Sequence, residues 1–511
     1  MKIFICYGSS KSINMIYLLL ISVIILLFYC YCVKTFSYWK KKKVPFRRPL
    51  PIFGNIMKVA LGKQQIGTAI REIYDSYDET VPYFGMYIFH KPFLVIRDKE
   101  LSKKILIKDF NVFQNRPLYH NVKIDPMAAN AMFIMRGEEW KTLRNKLSPI
   151  YTSGKMKKMM PLITGIAKQM EIYVDTLTDG QEIDVRDLAN RYSLDVICLC
   201  AFGINSNSLI QKDNEIKKIA NKMFDLRSIK RSFAIGSYFF CPLMVELFKL
   251  TFLDKESTDF FVDIFKTSFE QRKNSTLQKN DLIDLMYKVK LEEAGNDSFK
   301  FDDLKICAQA IVFFTAGSET TVGTLSFCLY ELAMNPYIQN TLRDEIRQNM
   351  DSEGNISYEA LFEMTYLDLV IKETLRKYPL THLLMRYAER DYTFEETDLQ
   401  IEKGTPVLLS MTSLHYDERY FPEPDKFDPE RFREENAKEF QYVYMPFGEG
   451  PRKCIGDRFA LLSMKIAVFM FLKNYEITPC NKTEVPVEQS KTAFFIIPES
   501  GSIFLNVRKI E

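Results

Sequence analysis

The stretch that decides the fold reads MPFGEGPRKCIGDRF, Met445 to Phe459. It places Cys454 in a loop whose glycines, Gly448, Gly450 and Gly456, allow tight turns and close approach of the backbone. Backbone N–H groups aimed at a sulfur lower its basicity and tune a metal bound to it. A buried structural thiol has no need of such a loop, whereas a thiolate that must stay deprotonated does. The loop therefore indicates a thiolate ligand.

Two cations, Arg452 and Lys453, precede the cysteine and bring positive charge near the thiolate. Gly448 and Gly450 do not begin a dinucleotide-binding fingerprint, because Lys453 stands where the third glycine would be and no βαβ pattern surrounds the loop. The other cysteines show no paired framework, so we expect no disulfides. We also expect no zinc site, because the chain has no CxxC pair and its four histidines are isolated from one another.

The N-terminal region carries the excess positive charge and one long apolar segment. Residues 1–48 contain nine Lys and Arg and no acid, so the rest of the chain is net negative, which argues against a nucleic-acid-binding body. Ser12–Val33 has no charged residue, and at about 1.5 Å per residue it is long enough to cross a hydrocarbon core of about 30 Å.

This segment is either an uncleaved signal anchor or a cleaved signal peptide. The apolar run exceeds the usual signal core and is followed by KTFSYWKKKK without a small-residue cleavage site, which favours the anchor. More cations flank its C-terminal end than its N-terminal end, which predicts that everything after residue 34 is cytosolic. The expected organisation is a luminal N-terminus at 1–11, a transmembrane signal anchor at 12–33, a basic, proline-containing hinge at 34–54 and one large domain at 55–511.

Helical patterns dominate this domain. They occur near 65–77, 138–150, 158–175, 186–203, 214–224, 258–272, 303–334, 337–350, 366–378 and 456–473. Strand-like runs are fewer: PYFGMYIF with PFLVIRD, then QIEKGTPVLLS, and a terminal pair around TAFFIIP and SIFLNVR. The predicted fold class is mainly α with small β-sheets at one side.

The longest predicted helix contains AGSETT in its middle. Gly317 costs about 1 kcal/mol relative to alanine in a helix interior, and the simple explanation is that it lets a neighbouring segment approach. The functional interpretation adds Thr320, whose hydroxyl can bond to a helix carbonyl and locally open the helix, with the acidic Glu319 beside it. The motif alone does not decide between the two.

Two further patterns place a charged side chain beside another side chain on the same helix face. Glu373 and Arg376, in ETLR, lie three residues apart, and such pairs are usually exposed and weak. Arg431, in PERF, would supply a second cation to the same carboxylate, although PERF also suits an ordinary proline-rich loop. Trp140 and Arg144, in WKTLR, project to one side of a helix, which suits either core packing or an anionic ligand with an apolar body.

Taken together, FGEGPRKCIG, ETLR, PERF, AGSETT and WKTLR resemble the cytochrome P450 family over essentially the whole chain. The anchor with its proline hinge resembles the microsomal membrane-bound type, and segments such as DKELSKKILIKDFNVFQNR resemble insect detoxification-type members. The resemblance implies a triangular, mainly helical domain around a buried haem b, with Cys454 as the thiolate axial ligand. Thiolate donation favours O–O cleavage at haem iron.

The resemblance also implies roles for individual residues. Those expected to bind the haem are Cys454, Phe447, Gly448 and Gly456 in the loop and Arg452, Trp140, Arg144, Arg386 and Arg116 at the propionates. The expected structural triad, which supports folding and cofactor retention, is Glu373, Arg376 and Arg431. Glu319 and Thr320 would line the oxygen groove and relay protons. Candidate substrate contacts, chosen by position, are Met132, Phe133, Phe313, Phe314, Leu383, Leu384 and Phe494, whose character suggests a lipophilic substrate.

The expected function is insertion of one oxygen atom from O2 into a lipophilic small molecule at the endoplasmic reticulum membrane. The 57 residues after Cys454 are too few for fused flavin or nicotinamide domains. Electrons would therefore come from a separate NADPH-dependent flavoprotein reductase, with cytochrome b5 as a further candidate. The expected docking residues are Lys141, Lys146 and Lys453, and the region 205–250, with Phe233, Tyr238, Phe239 and Phe240, is expected to dip into the bilayer as an access lid.

Two other functions stay open at this point. One is a haem-thiolate isomerase or dehydratase that needs no reductase. Glu319 and Thr320 argue against it, because a proton relay matters chiefly when dioxygen is activated. The other is a catalytically silent, membrane-anchored protein that binds haem or a lipophile.

Overall fold

Helices dominate the described residues, and they follow the apolar periodicity of the sequence. The computed structural model describes residues 5–510 except 178–181, 212–213, 224, 226–227, 274–280, 293–300 and 437, so part of the predicted luminal segment 1–11 lies outside them. In chain order the helices are α1 Ile5–Thr35, α2 Tyr38–Lys41, α3 Met57–Ala60, α4 Ile66–Tyr74, α5 Lys99–Lys103, α6 Pro126–Ala129, α7 Gly137–Leu147, α8 Ser153–Leu177, α9 Val185–Phe202, α10 Glu215–Met223, α11 Ile229–Phe240, α12 Pro242–Phe248, α13 Lys255–Lys273, α14 Leu282–Glu292, α15 Asp303–Met334, α16 Pro336–Asn349, α17 Tyr358–Glu363, α18 Thr365–Lys377, α19 Met411–Leu414 and α20 Asp457–Leu472. A π-helix, Lys104–Lys108, continues α5, and a 3-10 helix, Ser148–Tyr151, continues α7. Each predicted helical segment falls on one of these helices, whereas the sequence patterns do not predict α11, α12, α14 or the helices of four to six residues.

Three small sheets accompany the helices. The strands are β1 Tyr83–Ile88, β2 Lys91–Ile96, β3 Glu182–Asp184, β4 Leu383–Tyr387, β5 Tyr392–Phe394, β6 Leu399–Ile401, β7 Pro406–Ser410, β8 Tyr475–Pro479 and β9 Phe504–Lys509. Their orders are β1-β2-β7-β4, β3-β9-β8 and β5-β6, and β2 with β7 is a parallel pair. The predicted strand in TAFFIIP is wrong: its residues make isolated bridges, and β9 pairs with β8 and β3 instead.

Helix α15 crosses the core. It begins after the N-cap Asp302, whose side chain accepts a hydrogen bond from the Lys305 N–H at 2.8 Å. Its densest packing is against α9, where a Cβ on Gly317 would lie 2.7 Å from Cδ1 of Ile197. Close packing between the two helices therefore explains the glycine, as the simpler of the two interpretations has it.

The N-terminal helix connects to the domain through a buried tryptophan. The stretch Met15–Lys41 is long and apolar enough to cross a membrane. Trp39, two residues before the end of this stretch, is fully buried. A Cβ on Gly85 of β1 would lie 2.4 Å from the Trp39 indole ring. The indole N–H donates to the Met86 carbonyl at 3.2 Å. The segment that follows α1 is therefore docked on the largest sheet.

Candidate haem-thiolate site

The cysteine loop is shaped by two glycines and by a neighbouring helix. Gly448 and Gly450 both have a φ of 73°, in the left-handed region that favours glycine. A Cβ on Gly450 would lie 2.0 Å from the carbonyl oxygen of Leu106, in the π-helix, so a side chain does not fit there. The Cys454 N–H donates to the Phe447 carbonyl at 2.8 Å and closes the loop.

The Cys454 thiol is exposed by surface area, yet it lies deep among protein atoms. Burial raises the pKa of this thiol, and Asp457 adds to the rise, while the Gly456 N–H and the cations Arg144 and Lys453 oppose it. A thiol that has accessible surface and is also surrounded by protein atoms borders an internal open space. The N–H groups and cations of the loop thus do not by themselves make the sulfur anionic, but a coordinated metal ion deprotonates a thiol outright.

Arg452 links the cysteine loop to the segment before α7. Its Nη2 donates to the Asn115 Oδ1 at 3.0 Å and to the Met135 carbonyl at 2.9 Å, and its Nη1 donates to the Met132 carbonyl at 3.4 Å. Its guanidinium carbon lies 3.8 Å from the centroid of the Trp140 ring, a cation–π contact. Trp140 is therefore brought to the cysteine loop, and its role at the propionates stays a prediction.

Three more guanidiniums gather near Arg452 and the thiol. Burial, followed by the charge of Arg144, lowers the pKa of Arg116 to about 10, and burial, followed by Arg116, lowers the pKa of Arg386 to about 9. The pKa of Arg452 falls to about 7, because the charges of the other three reinforce its burial. Within the part of the chain that the structure describes, none of the four forms an ion pair with a carboxylate.

This cluster of cations fits a haem, which brings two propionate groups. Hydrogen bonds between a guanidinium and a carboxylate are among the stronger ones in proteins. The Arg386 Nε is buried and has no hydrogen-bond partner among the described atoms, and buried polar groups are normally satisfied. The arginines therefore match a dianionic cofactor, and Cys454 would supply a thiolate ligand beside them.

Helix α15 presents one part of its surface to an open space. Ala316 is exposed although α15 is otherwise mostly buried, and Thr320, one turn further along, is partly exposed. The Thr320 hydroxyl donates to the Ala316 carbonyl at 2.6 Å, which is the bond that the sequence predicts. The helix is nevertheless an unbroken α-helix at this point, so the expected local opening is not present.

The Glu319 carboxylate is turned towards α9 instead. It accepts a hydrogen bond from the Arg186 Nη2, and the two side chains are 12% and 13% exposed. The Arg186 Nη1 is buried and has no partner among the described atoms. Glu319 and Thr320 are adjacent in sequence, but the carboxylate is held in an ion pair with a neighbouring helix.

Glu373, Arg376 and Arg431 meet in the core. The first two are 0% exposed, so they are not the ordinary surface pair that ExxR usually forms. Arg376 donates to the carboxylate through its Nε at 2.7 Å and its Nη2 at 2.8 Å, and the Asp428 N–H donates at 2.9 Å. The Arg431 Nε lies 3.4 Å from the Glu373 Oε1. The carboxylate is thus surrounded by two cations and a backbone donor.

The residues chosen as substrate contacts divide into exposed and packed ones. Phe133 is 38% exposed, and the Arg116 guanidinium lies 4.5 Å above its ring. Leu384 and Phe494 are partly exposed, and the Phe494 ring stacks on Phe239 at 4.3 Å between centroids. These three have surface that a ligand can reach, and their substrate role stays a prediction.

The other members of that set are buried. Phe314 is 1% exposed and lies 4.1 Å from Phe261 between ring centroids, so it supports a wall and offers a ligand little surface. Phe313 is 6% exposed and its centroid lies 5.9 Å from that of Tyr151. The remaining two, also buried, are Met132 and Leu383.

Three residues that hold the site in place carry no signal of their own in the sequence. Asn115 accepts from both Arg452 and the Gly137 N–H, the latter at 3.1 Å, and its one clue is its position beside Arg116. Arg186 pairs with Glu319 from another helix. The third, His415, joins the triad to the cysteine loop: its Nε2 accepts from the Met445 N–H at 3.2 Å and its Nδ1 lies 3.2 Å from the Arg376 carbonyl.

A mainly helical domain is typical of a haem-thiolate protein when an exposed, deep-lying thiol lies among guanidiniums that form no ion pair with the described carboxylates. The model of the cytochrome P450 family matches residues 44–505. The chain belongs to the cytochrome P450 family, and it is a haem-thiolate monooxygenase.

Its relatives include insect proteins that match along nearly their whole length. Cytochrome P450 6k1 of Blattella germanica is 38% identical over 503 residues, which are 95% of each chain. Probable cytochrome P450 6a14 of Drosophila melanogaster is 36% identical over 509 residues, 96% of this chain and 99% of the relative. Cytochrome P450 6A1 of Musca domestica is 34% identical over 490 residues, 93% and 94% of the two. The predicted fold class and the predicted likeness to insect members are confirmed, and neither alternative function is favoured.

Proposed function

We propose that this monooxygenase oxidises a lipophilic small molecule that reaches it from the membrane, with haem b as cofactor and NADPH as the electron source through a separate flavoprotein reductase. The observation that carries the proposal is the set of four guanidiniums that form no ion pair with a carboxylate of the described residues and lie beside the exposed Cys454 thiol. When bound, the haem supplies the activation of dioxygen, which a thiolate ligand favours by donating electron density.

The residues around the loop would hold the haem in defined ways. Cys454 would ligate the iron, and the Gly448 turn brings Phe447 beside it. The propionates would be held by Arg116, Arg144, Arg386, Arg452 and Trp140. The backbone at position 456 does not require glycine, because the φ of Gly456 is −99° and a Cβ there would make an ordinary 3.8 Å contact with Tyr151.

Thr320 and Glu319 would deliver protons to the open side of α15. The Thr320 hydroxyl must give up its bond to Ala316 in order to donate towards the pocket. The Glu319 carboxylate is paired with Arg186, so a proton that passes through it requires this ion pair to separate or to rearrange. The pair therefore regulates how readily Glu319 serves as a relay.

The membrane side of the molecule would include α11 and α12. Ile229, Phe233 and Leu243 are exposed by 77%, 48% and 65%, whereas Tyr238 and Phe239 of the same region are buried. Large exposed apolar patches commonly mark membrane or partner contacts. We therefore assign the bilayer contact to the first three residues. Equally fast limited proteolysis of this region with and without liposomes would exclude that contact.

The electron donor would dock on the side that carries Lys141, Lys146 and Lys453. Lys141 has a 58% exposed side chain, and Lys453 forms an ion pair with Asp457 at 3.0 Å. Charge reversal at the three positions should slow reduction most at low salt, where electrostatic steering is strongest. Unchanged turnover of all three variants at low salt would exclude this docking face. Cytochrome b5 is a second donor that the same variants test.

The topology that accompanies this function follows from the anchor. We assign 1–11 to the lumen, 12–33 to the span, 34–54 to the connecting segment and 55–511 to a domain on the cytosolic side of the endoplasmic reticulum. Protease treatment of intact microsomes should remove the domain and protect the luminal end.

The central test is the carbon monoxide difference spectrum of the detergent-solubilised, dithionite-reduced protein beside a Cys454→Ser control. A strongly red-shifted Soret band that the control lacks is the expected result. A band at the position of histidine-ligated haem, or well-folded protein without haem, would contradict the proposed ligand. Turnover with a reconstituted reductase, measured as NADPH consumption with a lipophilic substrate, then tests the catalytic role.

A further inference from the structure

Gln309 of α15 is a buried amide whose side chain bonds to a different segment of the chain. It is 0% exposed. Its Oε1 accepts from the Met132 N–H at 2.9 Å, and its Nε2 donates to the Asn130 carbonyl at 2.6 Å and to the Lys305 carbonyl at 3.1 Å. Both amide N–H donors and the acceptor are therefore used, and two of the three bonds leave the helix.

The segment that Gln309 holds, Asn130–Met135, consists of turns between α6 and α7. On its other side it is held by two of the guanidiniums of the cofactor site. Arg452 donates to the Met132 and Met135 carbonyls, and Arg116 donates to the Phe133 carbonyl at 2.8 Å. The segment has backbone hydrogen bonds of its own, such as that from the Met135 N–H to the Ala131 carbonyl at 2.8 Å, and the three side chains anchor it to α15 and to the cysteine loop.

The position of Gln309 along α15 relates this segment to the open space. Gln309 and Ala316 are seven residues apart, which is about two turns, so both lie on one face of the helix about 10 Å apart. Ala316 is the exposed residue of that face, and Phe133 is the exposed residue of the held segment. The segment is thus a wall that is fixed to α15 at one edge and to the cofactor-binding arginines at the other.

We propose that Gln309 is a specificity-determining positioning residue, which sets the shape of the pocket wall at Met132 and Phe133 without contacting the substrate. The inference rests on the proposed function, because the wall faces a substrate only if the open space beside Ala316 is the catalytic pocket. A simple packing role would predict that an apolar side chain of equal size serves as well. The positioning role predicts instead that the wall loosens while the cofactor site stays intact.

The test compares Gln309→Met, which removes all three bonds with little change in volume, and Gln309→Glu, which keeps an acceptor for the Met132 N–H. Ser326→Ala is the matched control, because Ser326 is also 0% exposed on α15 but donates to Val322 of its own helix. Three measurements are made on each full-length protein: the carbon monoxide difference spectrum, amide hydrogen exchange at Met132, and spectral dissociation constants for imidazole and 4-phenylimidazole.

We expect every variant to keep the wild-type carbon monoxide band. In Gln309→Met the Met132 amide should exchange at least about tenfold faster, as expected for loss of about 1.4 kcal/mol of protection. The ratio of the two dissociation constants should change by at least about fivefold, because the larger ligand reaches the wall and imidazole does not. Gln309→Glu should recover part of the protection, and more at low pH, where its protonated carboxyl both accepts from the Met132 N–H and donates to a carbonyl. Ser326→Ala should match the wild type.

Unchanged exchange at Met132 and an unchanged ratio in Gln309→Met would overturn the proposal. Loss of the carbon monoxide band in both Gln309 variants but not in Ser326→Ala would also overturn it, because Gln309 would then be required for the cofactor site itself. Absence of the band in the wild type would instead contradict the proposed function, and the exchange at Met132 would still report whether Gln309 holds the wall.

Discussion

Removal of the Glu373 carboxylate should be among the most destabilising single changes in this protein. In Glu373→Ala two guanidiniums lose their counter-ion, that of Arg376 at 0% exposure and that of Arg431 at 9%. Breaking one side of a buried ion pair costs about 3–5 kcal/mol, because it leaves an uncompensated charge. The Asp428 N–H loses its acceptor as well. Against a typical total stability of about 5–15 kcal/mol, this loss removes a large fraction of the free energy of unfolding.

The chain contains a matched control for this change. Glu430 and Arg433 have the same i,i+3 spacing as Glu373 and Arg376, but their side chains are 45% and 51% exposed. Exposed pairs contribute about 0–1 kcal/mol, so Glu430→Ala should have little effect. The comparison separates burial of the pair from its spacing in the sequence.

The assay is urea unfolding of the full-length protein in detergent, followed by tryptophan fluorescence. We expect a loss of about 3–5 kcal/mol in Glu373→Ala. We also expect Glu373→Ala combined with Arg376→Met to be less destabilised than the sum of the single variants by at least about 2 kcal/mol, since the double variant buries one charge fewer. A loss below about 1 kcal/mol in Glu373→Ala, or strict additivity, would refute the reasoning.

Three other predictions follow from the site. Gly450→Ala should shift the cysteine loop and weaken the red-shifted carbon monoxide band, because a Cβ would lie 2.0 Å from the Leu106 carbonyl oxygen; an unaltered band and thermal midpoint would contradict this. Burial lowers the pKa of His382 and of His415 to about 3, so the unfolded state binds more protons between pH 3 and 6.5 and stability falls as the pH drops through that window. Each histidine contributes at most about 1.4 kcal/mol per pH unit, and unfolding midpoints against pH should show a smaller slope in His415→Gln. Glu319→Gln should keep the carbon monoxide band but form less product per NADPH with a larger solvent isotope effect, whereas an unchanged isotope effect would remove Glu319 from the proton path.

The sequence predicts local features well and contacts between distant segments poorly. The bounds of α15 are confirmed at both ends, because Asp302 and the Asn335-Pro336 pair mark them locally. The partner of Gly317 is not predictable in this way, since Ile197 lies on another helix more than a hundred residues away. TAFFIIP shows the same limit, because its composition favours a strand but among the described residues it makes only isolated bridges.

The same limit applies within the site. The motifs predict which residues carry the chemistry, but the residues that position them, among them Asn115 and Arg186, are defined by a partner elsewhere in the chain. Gly323 is a further example: a Cβ there would lie 2.6 Å from Cδ2 of Leu380, so the glycine on α15 makes room for the leucine that follows Pro379. The reason for the glycine at 323 is therefore visible only in the folded structure, where Leu380 lies beside it.

The arginine cluster links folding to cofactor retention through electrostatics. Arg116, Arg144 and Arg386 each lower the pKa of another guanidinium of the cluster, so that positive charges repel one another where burial already makes them costly. An anion that enters between them removes this repulsion, and because it binds the folded state alone, its binding free energy adds to stability. Arg452 is the centre of this coupling, since it carries the most strongly perturbed pKa of the four and also holds the Met132 and Met135 carbonyls. On the proposed assignments, the guanidinium that would retain the cofactor also holds the wall that would face the substrate, so we expect a change at either one to affect the other.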